Sequence, residues 1–459
     1  MKEAWKQLEE QLCLSESFDL VCRRLTAPSG EYRFYFVDGF IKDEIVEKLM
    51  EFLLTCDAPA LPLAALQQEL FPYVEVSMAK EAEAAALQVL SGVMTVCREE
   101  DSGYVLIDAR TYPTRSMNEP EDDRVLRGSR DGFVETLVFN TALIRRRIRD
   151  RRLRMAHVQV GATKDDVVIC SMAGCCDEAL YETLKERLQT LNVHSLTMAQ
   201  ESLSEALLRK HWWNPFPIVR YTERPDVASA HVQEGGIALI CDNSPSVALL
   251  PASLLDFAQE AQDYYFPPLI GTYLRFIRIL VFLLAQFLTP LWFWFNCNPE
   301  LMPQAMRFTL IEGSANLSVF WQLILLEIGI DAIKLASLNT PSSLSGSFII
   351  IGALILCDFA VQAGWFDAEI LLYMAFVALA NFTQPSFELG YAIKLTRMLM
   401  LVFIALFPFH GLWLSLLLLA VLLFTSRSPG SRGYLYPLIP FDAHACAKML
   451  LRKKISKRQ

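Results

Sequence analysis

The chain has 459 residues, 53% of them hydrophobic, with 42 Lys and Arg against 51 Asp and Glu and a formal net charge of −9. A mean hydropathy of +0.29 in so charged a chain signals two unlike halves blended into one average. The acidic excess sits in the part before Tyr265 and the last dozen residues are basic, which argues against a nucleic-acid polymer as partner.

The eleven cysteines are scattered, with Cys170, Cys175 and Cys176 the one close group. No pair of CxxC elements and no matching His spacing is present, so no metal is expected and the thiols read as free ones in a reducing compartment. The six histidines (His157, His194, His211, His231, His410 and His444) are dispersed, and no Ser-His-Asp arrangement can be read. Neither catalysis nor a cofactor is therefore expected. The opening MKEAWKQLEEQL is a charged amphipathic helix without an apolar signal core.

In chain order, a short helix and a polar link through Pro28-Ser29-Gly30 precede an alternating strand, Tyr32 to Val37. A helical pattern follows from Asp43 to Leu54, and Leu61 to Cys97 also reads as helical. Gly103 to Asp108 gives a second strand. The stretch from Glu119 to Glu135 carries Gly128 and Gly132 among alternating charges, but no Gly-Lys-Ser/Thr and no GxGxxG, so it reads as a turn leading into a helix through Arg149. The run from Arg145 to Arg154 reads as a helix end dressed with arginines, with anion binding as the alternative.

The same grammar then recurs. Val167 to Cys170 is a strand closed by Gly174, Glu178 to Leu191 a helix, and Ile237 to Cys241 with Ser246 to Leu250 a hairpin around Asp242-Asn-Ser-Pro245. These patterns predict two α/β subdomains of similar plan, residues 1–160 and 161–268. Within the second, Asn214 to Asp226 is held extended by Pro215, Pro217 and Pro225. Its Arg220, Tyr221, Glu223, Arg224, Pro225 and Asp226 form a candidate domain-junction motif, with Arg220, Glu223 and Arg224 placed to pair with one another. Pro251 to Tyr265 is a linker, and Asp263, Tyr264, Tyr265 and Pro267-Pro268 fall at a membrane interface level.

Beyond Leu269 charge almost disappears. Ile279 to Phe295 is charge-free and about 26 Å long as a helix, enough with Phe276 and Ile277 to cross a bilayer core. Leu317 to Leu335, Phe348 to Phe366, Ile370 to Phe382, Tyr391 to Phe409 and Leu412 to Phe424 follow. The expected architecture is thus an α/β soluble N-terminal region, an all-α polytopic membrane domain over 269–426, and a basic tail, 427–459. Lipid offers no hydrogen bonds, so each such run must be helical.

The segments RGSRDGFVETLVFNTALIRRRIRD, NPFPIVRYTERPDV and DYYFPPLIGTYLRFIR resemble the signature regions of the GerA family of spore germination proteins, A-subunit type. The likeness is read from about residue 30 to 442; the extreme N-terminus and the tail after Phe441 match poorly. It implies a protein of the spore inner membrane acting in germination. Relatives are believed to form ring oligomers that release ions through a central pore. On that basis the partners expected are the lipid bilayer, further copies of the chain and other spore-membrane germination proteins. The alternative is a non-conducting scaffold or nutrient-receptor subunit.

Arg275 and Arg278 before the first span, Lys334, Lys394, Arg397, Arg427 and Arg432 predict six crossings with both termini cytoplasmic, opposed by Arg307 alone. Leu317 to Leu335 carries Glu327, Asp331 and Lys334 and either spans or lies at the interface, with Glu327 and Asp331 as interfacial partners for Lys334. Ionisable groups inside spans are costly and hence functional candidates. Asp358, with Gln362, Ile351 and Ile355 on its side of the helix, is the candidate pore face, with an acid hydrogen-bonded between helices as the alternative. Ala353, Cys357, Ala360 and Gly364 form a small-residue stripe for helix packing.

Overall fold

The computed structural model describes residues 4–12, 14, 20–37, 40–55, 73, 75–98, 101–110, 125, 128–150, 152–208, 212–311, 315–338, 360–430 and 433–452. Two compact units divide at Ser116/Met117.

The first unit is a three-layer α/β domain. Its strands β1 (Leu20–Ala27), β2 (Gly30–Val37), β3 (Val76–Ala79), β4 (Met94–Arg98) and β5 (Tyr104–Ile107) form one sheet in the order β1-β2-β4-β5-β3, antiparallel throughout. Helices α1 (Ala4–Leu12) and α3 (Ala82–Leu90) cover one face with Leu8, Leu12, Ala85 and Val89 against Tyr35, Cys97 and Tyr104. Helix α2 (Asp43–Thr55) covers the other with Val46, Leu49 and Leu53 against Phe34, Val96 and Val105. Successive residues such as Phe34 and Tyr35 point to opposite faces, so a sheet buried on both sides reads as an unbroken apolar run. That corrects the helical reading of Leu61 to Cys97: helix occupies Ala82–Leu90, with β3 before it and β4 after it. Residues 61–72 lie outside the described residues.

The second unit opens with a domain of the same plan. Helix α4 (Leu137–Arg147) precedes the hairpin β6 (Leu153–Val160) and β7 (Asp165–Met172). Helices α5 (Glu178–Gln189) and α6 (Gln200–Leu207), strand β8 (Arg220–Thr222), helix α7 (Pro225–Gln233) and the hairpin β9 (Ile237–Cys241) and β10 (Val247–Leu250) complete it. The sheet order β6-β7-β9-β10-β8 repeats the first sheet position for position. Leu180, Leu184 and Leu203 pack on Val167, Ile169 and Leu239. On the opposite face Leu143, Ile144 and Val232 pack on Val168, Cys170 and Ile240. The division expected at 160/161 falls instead in the β6–β7 turn, where Gly161 has a φ of +77°. The second sheet starts at Leu153.

Among the described residues the long helices of the apolar half are α8 (Pro268–Cys297), α9 (Val319–Leu338), α10 (Ala368–Phe382), α11 (Phe387–Leu406) and α12 (Gly411–Thr425). By length and composition α8 and α11 can cross a membrane, while α10 and α12 are apolar but shorter. Helix α11 packs against α8, α9 and α12. Its buried residues Leu389, Ile393, Arg397, Met400 and Ile404 recur at helical spacing as one stripe. Leu269, Leu280, Leu399, Leu406, Leu417 and Phe424 point outward and are exposed, an apolar outer surface suited to lipid. The expected stretch Phe348 to Phe366 lies outside the described residues up to 359. Helix is described at Ala360–Gln362 and stops before Gly364. Helix α13 (Ala443–Leu450) lies in the basic tail.

Candidate functional site

Two polar constellations in the second unit stand out from the apolar packing. The first is built on the extended Pro-rich segment. Pro225 occupies the first turn of α7, where its missing N–H costs nothing. This sets Arg224, 1% exposed, beside Asp226. Arg224 donates from Nε to Asp226 Oδ1 at 3.0 Å and from Nη2 to Oδ2 at 2.7 Å, a bidentate pair, and from Nη2 to the Ser129 carbonyl at 3.1 Å. Tyr265 OH donates to the same Asp226 Oδ2 at 2.8 Å. Burial alone would raise the Asp226 pKa, but Arg224 and Tyr265 hold it below the ordinary carboxylate value.

The RGSRDGF loop docks onto this pair. Phe133 N donates to the Glu223 carbonyl at 2.8 Å, and Arg147 bonds Asp131 at 2.6 Å. Gly128, at φ +140°, lies so close that an added Cβ would stand 2.5 Å from the Tyr265 ring. Arg220, from the expected pairing group of Arg220, Glu223 and Arg224, donates to the Gln259 carbonyl at 3.0 Å. Tyr221 OH donates to Ser204 Oγ at 2.7 Å. Of the arginine run, Arg145 bonds the carbonyls of Asp150 and Leu153, Arg152 pairs with Asp150 and Arg154 with Glu178.

The linker then clamps the first apolar helix. Asp263 is fully buried and accepts from Arg275 Nε at 3.2 Å and Arg278 Nη1 at 3.0 Å. Arg278 Nη2 also reaches Glu260 at 2.6 Å, and Arg275 Nη1 reaches the Met449 carbonyl in α13 at 2.8 Å. At the other end of the bundle's sequence, Asn214 Nδ2 donates to the Leu422 carbonyl at 2.9 Å and to Ser426 Oγ at 2.9 Å, closing the C-terminus of α12.

The second constellation lies between the apolar helices. Glu327 on α9 and Lys394 and Arg397 on α11 are 1%, 3% and 0% exposed. Arg397 Nε donates to Glu327 Oε1 at 2.7 Å and Nη1 to the Ala285 carbonyl of α8 at 2.6 Å. Lys394 Nζ donates to the Glu327 carbonyl at 2.8 Å and stands 2.5 Å from Asp331 Oδ2. Between Lys394 and Arg397 on α11, Thr396 Oγ1 donates to Gln286 of α8 at 2.9 Å.

This corrects the sequence reading twice. Glu327 is buried against α11 rather than interfacial beside Lys334. Lys394 and Arg397 are inside the bundle, so neither is a flanking loop cation. Their partners lie on a distant helix. The signal was the match of Glu327 and Asp331, four apart, with Lys394 and Arg397, three apart, which places one charged face on each of two apolar helices. Among the described residues, Glu327 Oε2, Asp331 Oδ1, Arg397 Nη2 and Thr289 Oγ1 have no hydrogen-bond partner. Lys394 Nζ lies 3.5 Å from Glu327 Oε2, close enough for charge attraction but outside hydrogen-bond geometry.

Of the pore and packing candidates, Ile351, Ala353, Ile355, Cys357 and Asp358 lie outside the described residues, as does the Ala360 side chain. Gln362 is exposed on the last helical turn. Gly364, at φ +70°, accepts from Asn316 N at 2.9 Å, so it ends a helix instead of continuing a packing stripe. Among the described residues no group of three His, Cys, Asp or Glu could hold a metal ion.

An α/β domain tied through a buried Asp-Arg clamp to an apolar bundle, two of whose helices are long and apolar enough to cross a bilayer, suggests a membrane protein. Comparison with known proteins gives the family. The family model described as "Bacillus/Clostridium GerA spore germination protein" matches residues 6–459, including the tail that the sequence reading set outside the likeness. Stage V sporulation protein AF of Bacillus subtilis (strain 168) is 35% identical over 443 residues, covering 96% of this chain and 90% of that protein. Spore germination protein KA of the same organism is 26% identical, covering 91% of this chain and 77% of its own length. The N-terminal domain of the A subunit of the Bacillus megaterium spore germinant receptor GerK3 aligns at 20% identity and a TM-score of 0.22, over 54% of this chain and 93% of that one. The chain belongs to the GerA family of spore germination proteins.

Proposed function

We propose that this protein is a multi-pass subunit of the spore inner membrane that acts in germination, assembles with copies of itself into a ring, and contributes to ion release. The observation that carries this reading is the Glu327, Asp331, Lys394 and Arg397 cluster with its orphaned polar atoms inside the apolar bundle. Charges held in membrane helices cost several kcal/mol and are characteristic of ion pathways and relays. A site with unsatisfied donors and acceptors of both signs can exchange partners with water or an ion. The ring would turn Asp358 and Gln362 toward its axis, with Ile351 and Ile355 as a dewetting constriction and Ala353, Cys357 and Ala360 packing between helices.

Topology follows from two anchor points. Asp263 holds the start of α8, and Asn214, from the same soluble domain, closes the end of α12. Both ends of the bundle therefore face one side, which supports an even number of crossings with the tail on the side of the soluble domain. A second reading, a non-conducting scaffold that assembles other germination proteins, draws on the same clamp, because it fixes the soluble domain rigidly to the bundle. Imaging of the purified full chain separates the two. A ring with an axial opening supports conduction; particles with lipid or protein filling every polar face support the scaffold.

A further inference from the structure

Trp212 is 95% exposed and Trp213 43% exposed on the soluble domain, although indole is among the costliest side chains to leave in water. Their position is fixed by their neighbours. Asn214 binds the Leu422 carbonyl, Thr425 Oγ1 and Ser426 Oγ at the end of α12. Phe216 is buried in the cluster formed by Leu389, Ala392, Ile393 and Leu422 of the bundle. Two residues span at most about 7 Å, so the Trp212 backbone cannot lie far from the α12 terminus.

Helix α12 has 15 residues, about 22 Å, short of a hydrocarbon core of about 30 Å. Its terminus thus lies at or within the core boundary, and the polar zone beyond is only about 5–8 Å deep on each side. An exposed indole beside that terminus falls in this zone and not in bulk water. Val421 and Phe424 on the last turns of α12 face outward, and Arg427 just past the terminus is exposed, an apolar-then-cationic sequence that matches acyl chains followed by anionic headgroups.

We propose that Trp212 and Trp213 form an interfacial anchor that inserts into the headgroup region of the bilayer and holds the second soluble domain flush against the membrane. The partner is a lipid surface, and a short last helix is compensated by aromatic side chains supplied from outside the bundle. The inference rests on α12 lying in the membrane, and its test separates the two ideas.

The full chain, with Trp212→p-benzoylphenylalanine or with Phe424→p-benzoylphenylalanine, is reconstituted in phosphatidylethanolamine/phosphatidylglycerol vesicles and irradiated. Lipid adducts at both positions, in comparable yield, are the expected result. Lipid adducts at Phe424 with only protein adducts or none at Trp212 would overturn the anchor and leave the membrane placement of α12 intact. Absence of lipid adducts at both would overturn both.

Discussion

Arg397→Leu removes the hydrogen bond that the Glu327 carboxylate accepts from Arg397 Nε at 2.7 Å, and the bond to the Ala285 carbonyl. Both Glu327 and Arg397 are at most 1% exposed, so water does not replace the lost partner. Breaking a buried pair from one side costs about 3–5 kcal/mol, because a charge remains buried without its counterpart. At about 1 °C per kcal/mol for a chain of 459 residues, this lowers the melting temperature of the purified full chain by about 3–5 °C. Glu327→Leu combined with Arg397→Leu removes both charges and keeps the Lys394–Asp331 pair, so the double variant recovers most of the loss. Thermal melts of the wild type, Arg397→Leu, Glu327→Leu and the double variant complete the cycle. Single variants within about 1 kcal/mol of wild type, or a double variant no better than the worse single, would refute the burial argument.

Further outcomes follow from the soluble domain and the tail. Because the Asp226 pKa is depressed by Arg224 and Tyr265, the stabilisation from their contact is present above the unfolded carboxyl pKa of about 3.9 and is lost as pH falls through the folded value; Asp226→Asn should flatten the melting profile below about pH 4. Gly128→Ala combines a positive φ with a Cβ 2.5 Å from the Tyr265 ring and should cost about 1–3 kcal/mol, part of which Tyr265→Ala recovers, as read by melting temperature. In the folded protein iodoacetamide should modify exposed Cys175 and spare Cys170 and Cys241, whose burial pushes each thiol pKa up to about 12. A membrane-impermeant maleimide should reach Cys297, at the far end of α8, from outside, and Cys446, in the tail, only after permeabilisation; outside labelling of Cys446 would contradict the cytoplasmic tail.

The elements legible in the sequence were those with a clear period. Helices α2 and α5 show one apolar stripe, and the β9–β10 hairpin brackets a turn of small polar residues. Strands β1 and β6 were missed because they are sheet edges, where charged Arg23, Arg24 and His157 face water and hide the alternation. Strand β4 was missed for the opposite reason: Met94 to Arg98 is buried on both faces, so it extends the apolar pattern of α3. The junction motif was visible as three prolines and clustered charge, but its partners Ser129, Gln259 and Tyr265 are distant in sequence. Lys394 and Arg397 were readable as charges at a span's start, not as buried partners of Glu327, because nothing local reveals which helix packs opposite.

The central claim, an ion path through an assembled membrane subunit, is tested most directly by cation release from vesicles holding the full chain at known oligomer density. The account predicts that Ile355→Ser, which wets the constriction, leaks cations well above protein-free vesicles, and that adding Asp358→Asn changes the cation preference of that leak. Oligomeric Ile355→Ser protein that retains cations as tightly as protein-free vesicles would contradict it.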